Sequence, residues 1–265
     1  MWKWETDKTA KGVVVIVHNI LEHHGRYAWL IMQLRRRGYH VIMGDLPGQG
    51  QTSRVNRGHI NSFGDYREAV LDWIDVAEEY YLPVFVVGVG LGGLIITNLL
   101  EHVTLRVEGV ILISPLFGFQ HTTTTRKNFF ASSFGGTSKD AKFDLGIDYA
   151  TLTRNEEAVA EIENDSLVLK QVSFHWYRSI IETMKETMEH LERIEPLAMQ
   201  LHYGTEDQLI DLDQIKIFER EMACEAMEWE GYYHELHHEP ENDKVLREMV
   251  RFMDKRIEHI GLIVK

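Results

Sequence analysis

The sequence predicts an α/β protein with a mostly parallel sheet and helices on both of its faces. Two observations carry this. Short β-branched runs, apolar at every position, recur along the chain, and helical stretches separate them. A strand without polar alternation has both faces buried, which is the condition of a parallel sheet between two helical layers. A third observation sets the scale: 265 residues with 44% hydrophobic side chains are enough for one sizeable core.

In chain order, "GVVVIVH" (12–18) reads as a strand, and "RYAWLIMQLRRRGY" (26–39) as an amphipathic helix closed by Gly38. "HVIMGD" (40–45) is the next strand and "SFGDYREAVLDWIDVAEEYY" (62–81) the next helix. "VFVVGVG" (84–90) runs into an apolar helix that ends near Leu100, and "VEGVILISP" (107–115) follows as a strand. The alternation breaks after Pro115 and is irregular from Phe119 to about His175. It resumes with a helix at 176–192, the strand "LAMQLHYG" (197–204), a helix at 211–222, the strand "AMEWE" (226–230) and a final helix from Asp243. Two segments, 1–118 and 176–265, therefore form the core, and 119–175 is an insertion over it.

Composition excludes several classes. A net charge of −13 argues against a nucleic-acid surface, because phosphate neutralisation needs an excess of Lys and Arg. The single cysteine, Cys224, excludes an internal disulfide and fits a reducing, cytoplasmic setting. The N-terminal stretch carries acids and lacks the apolar run of a signal peptide. The uncharged stretch from Pro83 to Leu100 has four glycines at its centre, so it reads as a buried strand and helix and not as an integral membrane segment.

The stretch "VVGVGLGG" (86–93) outlines a strand, a tight turn and a helix. In one enzyme class the centre of such a turn is a serine nucleophile, in the pattern G-x-S-x-G. Here the frame is Gly88-Val89-Gly90-Leu91-Gly92, and the central position is glycine. Charge-relay hydrolysis also needs a histidine to take the nucleophile's proton and a carboxylate to hold the imidazole. Asp207, after the strand ending "LHYGTE", and His234, in "EGYYHELHHEP", fill those places in the expected order.

With these residues in place, the chain resembles the monoacylglycerol lipase and lysophospholipase branch of the α/β-hydrolases over nearly its whole length. "VHNILEHHGRY" (17–27) is similar to that branch's oxyanion segment and "GDLPGQGQTSR" (44–54) to its D-x-x-G-x-G-x-S loop. "GTEDQLID" (204–211) and "GYYHELHHEPE" (231–241) are similar to its acid and histidine loops. The resemblance implies a cap formed by 119–175, an oxyanion hole from the backbone N–H groups of Ile20 and Leu91, and a small acyl-ester or lipid-like ligand. No cofactor and no metal are expected. The departures sit at the site: the branch's G-H-S-x-G-G reads Gly88-Val89-Gly90-Leu91-Gly92-Gly93, and its H-G pair reads His18-Asn19. Together they suggest drift after loss of selection for catalysis, and a non-catalytic or impaired homologue.

Two alternatives stand beside this reading. One is an active ester hydrolase in which His234 and Asp207 activate water or another nucleophile, for which Ser114 at a strand end is one candidate. The other is a zinc hydrolase, because His234-Glu235-Leu236-His237-His238 satisfies H-E-x-x-H; that chemistry needs both outer histidines on one stable helix, and Gly231 and Pro240 leave barely two turns. Phe117, Phe119, Phe129 and Phe130, with Phe134, either line an acyl pocket or pack the insertion onto the core.

Overall fold

The structure is a computed structural model that describes residues 1–52, 56–120 and 141–261. Nine strands and seven α-helices lie among the described residues. In chain order they are β1 (Trp2–Trp4), β2 (Gly12–Val17), α1 (Ala28–Arg36), β3 (Tyr39–Met43), α2 (Gly64–Glu78), β4 (Val84–Val89), α3 (Leu91–Leu100) and β5 (Gly109–Ile113). There follow β6 (Lys142–Phe143), α4 (Glu156–Asn164), β7 (Val172–Ser173), α5 (Phe174–Glu189), β8 (Met199–Gly204), α6 (Leu212–Met222), β9 (Glu225–Trp229) and α7 (Asn242–His259).

Seven strands form one sheet in the order β1-β3-β2-β4-β5-β8-β9, all neighbours parallel except β1 against β3. β4 is central, with Val86 opposite Val15 on one side and Val110 on the other. Successive strand side chains point to opposite faces, so the apolar runs feed two cores. Val13, Val15, Val86, Val110 and Leu112 pack with α2, α3, α5 and α6, and Val14, Ile16, Val87, Ile111 and Ile113 with α1 and α7. The two-layer reading of the uninterrupted valine runs is therefore correct.

Three strands lie outside the elements the sequence predicts. β1 adds an antiparallel edge strand in a stretch without the apolar run of the other strands. Within the segment between β5 and β8, β6 and β7 form a small antiparallel pair of their own. The described part of that segment is tied to loops at one end of the sheet. Leu169 N–H donates to the Leu21 carbonyl at 2.8 Å and Glu235 N–H to the Leu152 carbonyl at 2.7 Å. Arg154 donates to Glu239 and Glu241, each at 2.5 Å. No helix among the described residues is long and apolar enough to cross a membrane.

Candidate active site

The sequence places Gly90, Asp207 and His234 on three separate loops, and the fold brings them to the C-terminal ends of β4, β8 and β9. Gly90 is the turn between β4 and α3, with φ 51° and ψ −111°, a left-handed conformation that glycine adopts without a Cβ penalty. Its N–H donates to the Ile113 carbonyl at 2.9 Å, and its own carbonyl accepts from Gly93 at 3.0 Å and Leu94 at 3.2 Å. The turn lets α3 run back very close to β2: a Cβ on Gly92 would lie 2.1 Å from the Val17 carbonyl oxygen.

His234 Nδ1 is 2.7 Å from Asp207 Oδ2. The other carboxylate oxygen, Oδ1, accepts from the N–H groups of Leu209 and Ile210 at 2.8 and 3.2 Å, which fixes the aspartate's rotamer. Burial disfavours a charged His234 imidazole, but the negative charge and hydrogen bond of Asp207 outweigh it and raise the ring's pKa above the ordinary value. Ser114, a strand-end residue at φ 44°, donates its hydroxyl to the His234 carbonyl at 2.8 Å. It therefore supports the histidine's backbone, with its hydroxyl hydrogen committed to a carbonyl and not to the imidazole.

The group that faces His234 Nε2 is the side-chain amide of Asn19. Asn19 Nδ2 donates to Nε2 at 2.9 Å, while Asn19 Oδ1 accepts the N–H of Leu91, in the first turn of α3, at 3.1 Å. The two contacts fix the amide's orientation, since a backbone N–H can only donate. Gly90 offers α3 no capping side chain, and Asn19 supplies the missing acceptor from 72 residues away. Asn19 is itself pinned. Its N–H donates to Glu22 Oε1 at 2.9 Å and Tyr27 Oη at 3.0 Å. Its carbonyl accepts from His18 Nδ1 at 2.7 Å, whose Nε2 accepts from Leu46 N–H at 2.9 Å. Burial lowers the His18 pKa, in keeping with this neutral tautomer. Below these residues Arg26 bridges Glu22 and Glu235 at 2.9 and 2.6 Å, a buried ion network.

Asn19, Asp207 and His234 are all buried, His234 with 0% exposure. Ile20 follows Asn19 at the same strand end and is also buried. The histidine stretch 234–238 is a series of turns and not a helix. His234 spends both ring nitrogens on Asp207 and Asn19, and His238 pairs with Glu235 at 2.6 Å and the Arg26 carbonyl at 2.8 Å. That arrangement lacks the helical face the zinc signature requires. Phe117 packs against Phe218 in the core with ring centroids 4.5 Å apart and the rings tilted, and Phe119 bridges to Ile210 and lies 6.3 Å from the Tyr177 ring. These two aromatics hold the segment after β5 onto α5 and α6. Phe129, Phe130 and Phe134 lie outside the described residues. Cys224 is partly buried, and burial pushes its thiol up to about 11, so it is not a thiolate at neutral pH.

The departure of His18-Asn19 from the H-G pattern is visible in the sequence, but the contacts of the asparagine side chain are not. Its two side-chain partners are 72 and 215 residues away, and no local signal reports them.

A seven-stranded, mostly parallel sheet of this order, with a glycine-rich strand–turn–helix at its centre and an Asp–His pair on later loops, defines an α/β-hydrolase fold. The chain belongs to the serine aminopeptidase, S33, family, whose profile matches residues 8–241. It is 37% identical over 261 residues to the phospholipase YtpA of Bacillus subtilis, covering 97% of this chain and 100% of that one. It is 27% identical to the monoglyceride lipase of Rattus norvegicus, over 97% of this chain and 87% of the relative. Among solved structures, the monoacylglycerol lipase of Paleococcus ferrophilus superposes with a TM-score of 0.84 at 27% identity, covering 96% of this chain and 98% of that one.

Proposed function

We propose that this chain is an ester-hydrolase homologue whose hydrolysis of carboxylic esters is severely impaired, with Gly90 at the position a serine nucleophile takes in working relatives. The observation that carries the reading is the combination of an intact Asp207–His234 pair with a turn residue that has no side chain to attack with. Loss of the serine from a triad lowers turnover by roughly 10⁶-fold in a measured protease, with about 10³–10⁴-fold over water surviving through the rest of the site. Asp207 would orient His234, His234 would act as base, and the N–H groups of Ile20 and Leu91 would be the oxyanion donors. Residues 119–175 would form a cap, and the ligand would be a small acyl ester or related lipid. The naming of the relatives as phospholipase and monoglyceride lipases supports that ligand class. The single cysteine supports a reducing, cytoplasmic setting.

The reading in which His234 activates a water directly has less support. The atom facing His234 Nε2 is the Asn19 amide nitrogen, and a water held for attack would need that same position.

Turnover of a monoacylglycerol by the purified protein, compared with His234→Ala in the presence of a chelator, tests the proposal. The expected result is no turnover that depends on His234. Robust turnover that disappears in His234→Ala would overturn it.

A further inference from the structure

The space around Gly90 is occupied in a way that the missing nucleophile does not by itself require. A Cβ built on Gly90 would lie 1.7 Å from Asn19 Oδ1, 2.3 Å from Asn19 Cγ and 3.0 Å from Asn19 Nδ2. Real side chains do not approach so closely. The asparagine cannot drift aside with its backbone either. Its N–H is held by Glu22 and Tyr27, its carbonyl by His18, and its amide spans Leu91 N–H and His234 Nε2. Moving the side chain alone would leave a buried donor, Leu91 N–H, and a buried acceptor, His234 Nε2, without partners.

We propose that Asn19 is the resident occupant of the polar centre, standing in at once for the two groups an acyl-transfer site must admit. Its amide nitrogen takes the place of a hydroxyl facing His234 Nε2. Its amide oxygen takes the place of an acyl oxygen accepting from Leu91 N–H. Positions 19 and 90 are therefore coupled, and the chain carries a latent acyl-transfer site that Gly90→Ser alone does not release but Asn19→Gly with Gly90→Ser does. This rests on the assignment of position 90 as the nucleophile position.

Three variants, Asn19→Gly, Gly90→Ser and the double variant, are treated with an alkyl fluorophosphonate and examined by intact mass. In the labelling step the new hydroxyl oxygen bonds phosphorus, the P–F bond breaks, fluoride leaves, and the hydroxyl proton passes to His234 Nε2. The double variant is expected to label at least about 10-fold faster than Gly90→Ser, since a serine at position 90 beside Asn19 overpacks a full interior. Asn19→Gly, lacking a nucleophile, is expected not to label at position 90. Equal labelling of Gly90→Ser and the double variant would overturn the coupling, and so would a folded double variant that does not label.

A second measurement covers a double variant that fails to fold. Gly90→Ala is made in the wild-type and Asn19→Gly backgrounds and melted. The left-handed strain of an alanine at position 90 is common to both and cancels in the cycle. A larger loss of Tm is expected in the wild-type background, by roughly 5 °C or more. Equal losses would overturn the coupling. His234-dependent turnover of a monoacylglycerol by the wild type would overturn the impaired-hydrolase reading instead, and the melting cycle reads the coupling independently of that result.

Discussion

His234 and His237 lie three residues apart in one loop, and both are almost completely buried, at 0% and 3% exposure. Their chemistry is opposite. His234 has a carboxylate on Nδ1 and an amide donor on Nε2, and its pKa is raised. His237 is stacked on Tyr27 at 4.6 Å and lies 4.1 Å from the ring of His238, with neither ring nitrogen hydrogen-bonded among the described residues. Burial, reinforced by the neighbouring His238, pushes its pKa well below the ordinary value. The same residue type at the same depth is therefore held between two polar partners in one case and is a flat packing surface in the other. Burial alone does not set a histidine's chemistry; the partners of its two nitrogens do.

The largest effect that would sharpen this contrast is His234→Leu. It removes the imidazole from Asp207 and leaves a buried carboxylate unpaired, so unfolding free energy should fall by about 3–5 kcal/mol, measured by urea denaturation. His237→Leu should do the reverse: it removes two buried polar atoms without protein partners while keeping the bulk, and is expected to raise stability by about 1 kcal/mol. A loss comparable to that of His234→Leu would break the comparison.

The pH dependences should also oppose one another. The folded pKa of His237 is depressed, so the unfolded chain gains a proton that the fold refuses as pH falls below about 6.5. His237 therefore costs stability on the acid side of that value, and thermal melts should show His237→Leu gaining on wild type as pH drops. The folded pKa of His234 is raised, so its contribution is full below about 6.5 and is lost as pH rises through the folded value. The smallest expected effect belongs to Ser114→Ala, which deletes the hydroxyl bond to the His234 carbonyl. It should cost about 0.5–1.5 kcal/mol without changing the sign of either pH slope.

Much of this architecture was legible in the sequence because its signals are local. The valine runs of β2 and β4 and the isoleucine-rich β5 announce buried strands by composition alone. The helix over 26–39 is found at Ala28–Arg36, and that over 211–222 at Leu212–Met222. Asp207 and His234 could be picked out because each follows a strand at the expected place in the chain order. β1 escaped because Trp2-Lys3-Trp4 is only three residues long and is broken by a lysine, too short to show the apolar run of the other strands, and its pairing with Val41–Met43 is a tertiary fact. The H-E-x-x-H reading failed on backbone conformation, since turns and a helix can carry the same five letters. Asn19 escaped for the strongest reason: its role is defined by two groups that reach it only after the sheet has assembled.

The 1.7 Å contact between Asn19 and a Cβ at position 90 also constrains the order in which this sequence can change. While asparagine stands at position 19, a side chain at position 90 meets both a clash and the strain of the turn's positive φ, and a smaller residue at position 19 removes the first cost but not the second. Under the proposed coupling, the less costly route to a side chain on the turn changes position 19 first, so the asparagine acts as a ratchet tooth on the mutational path.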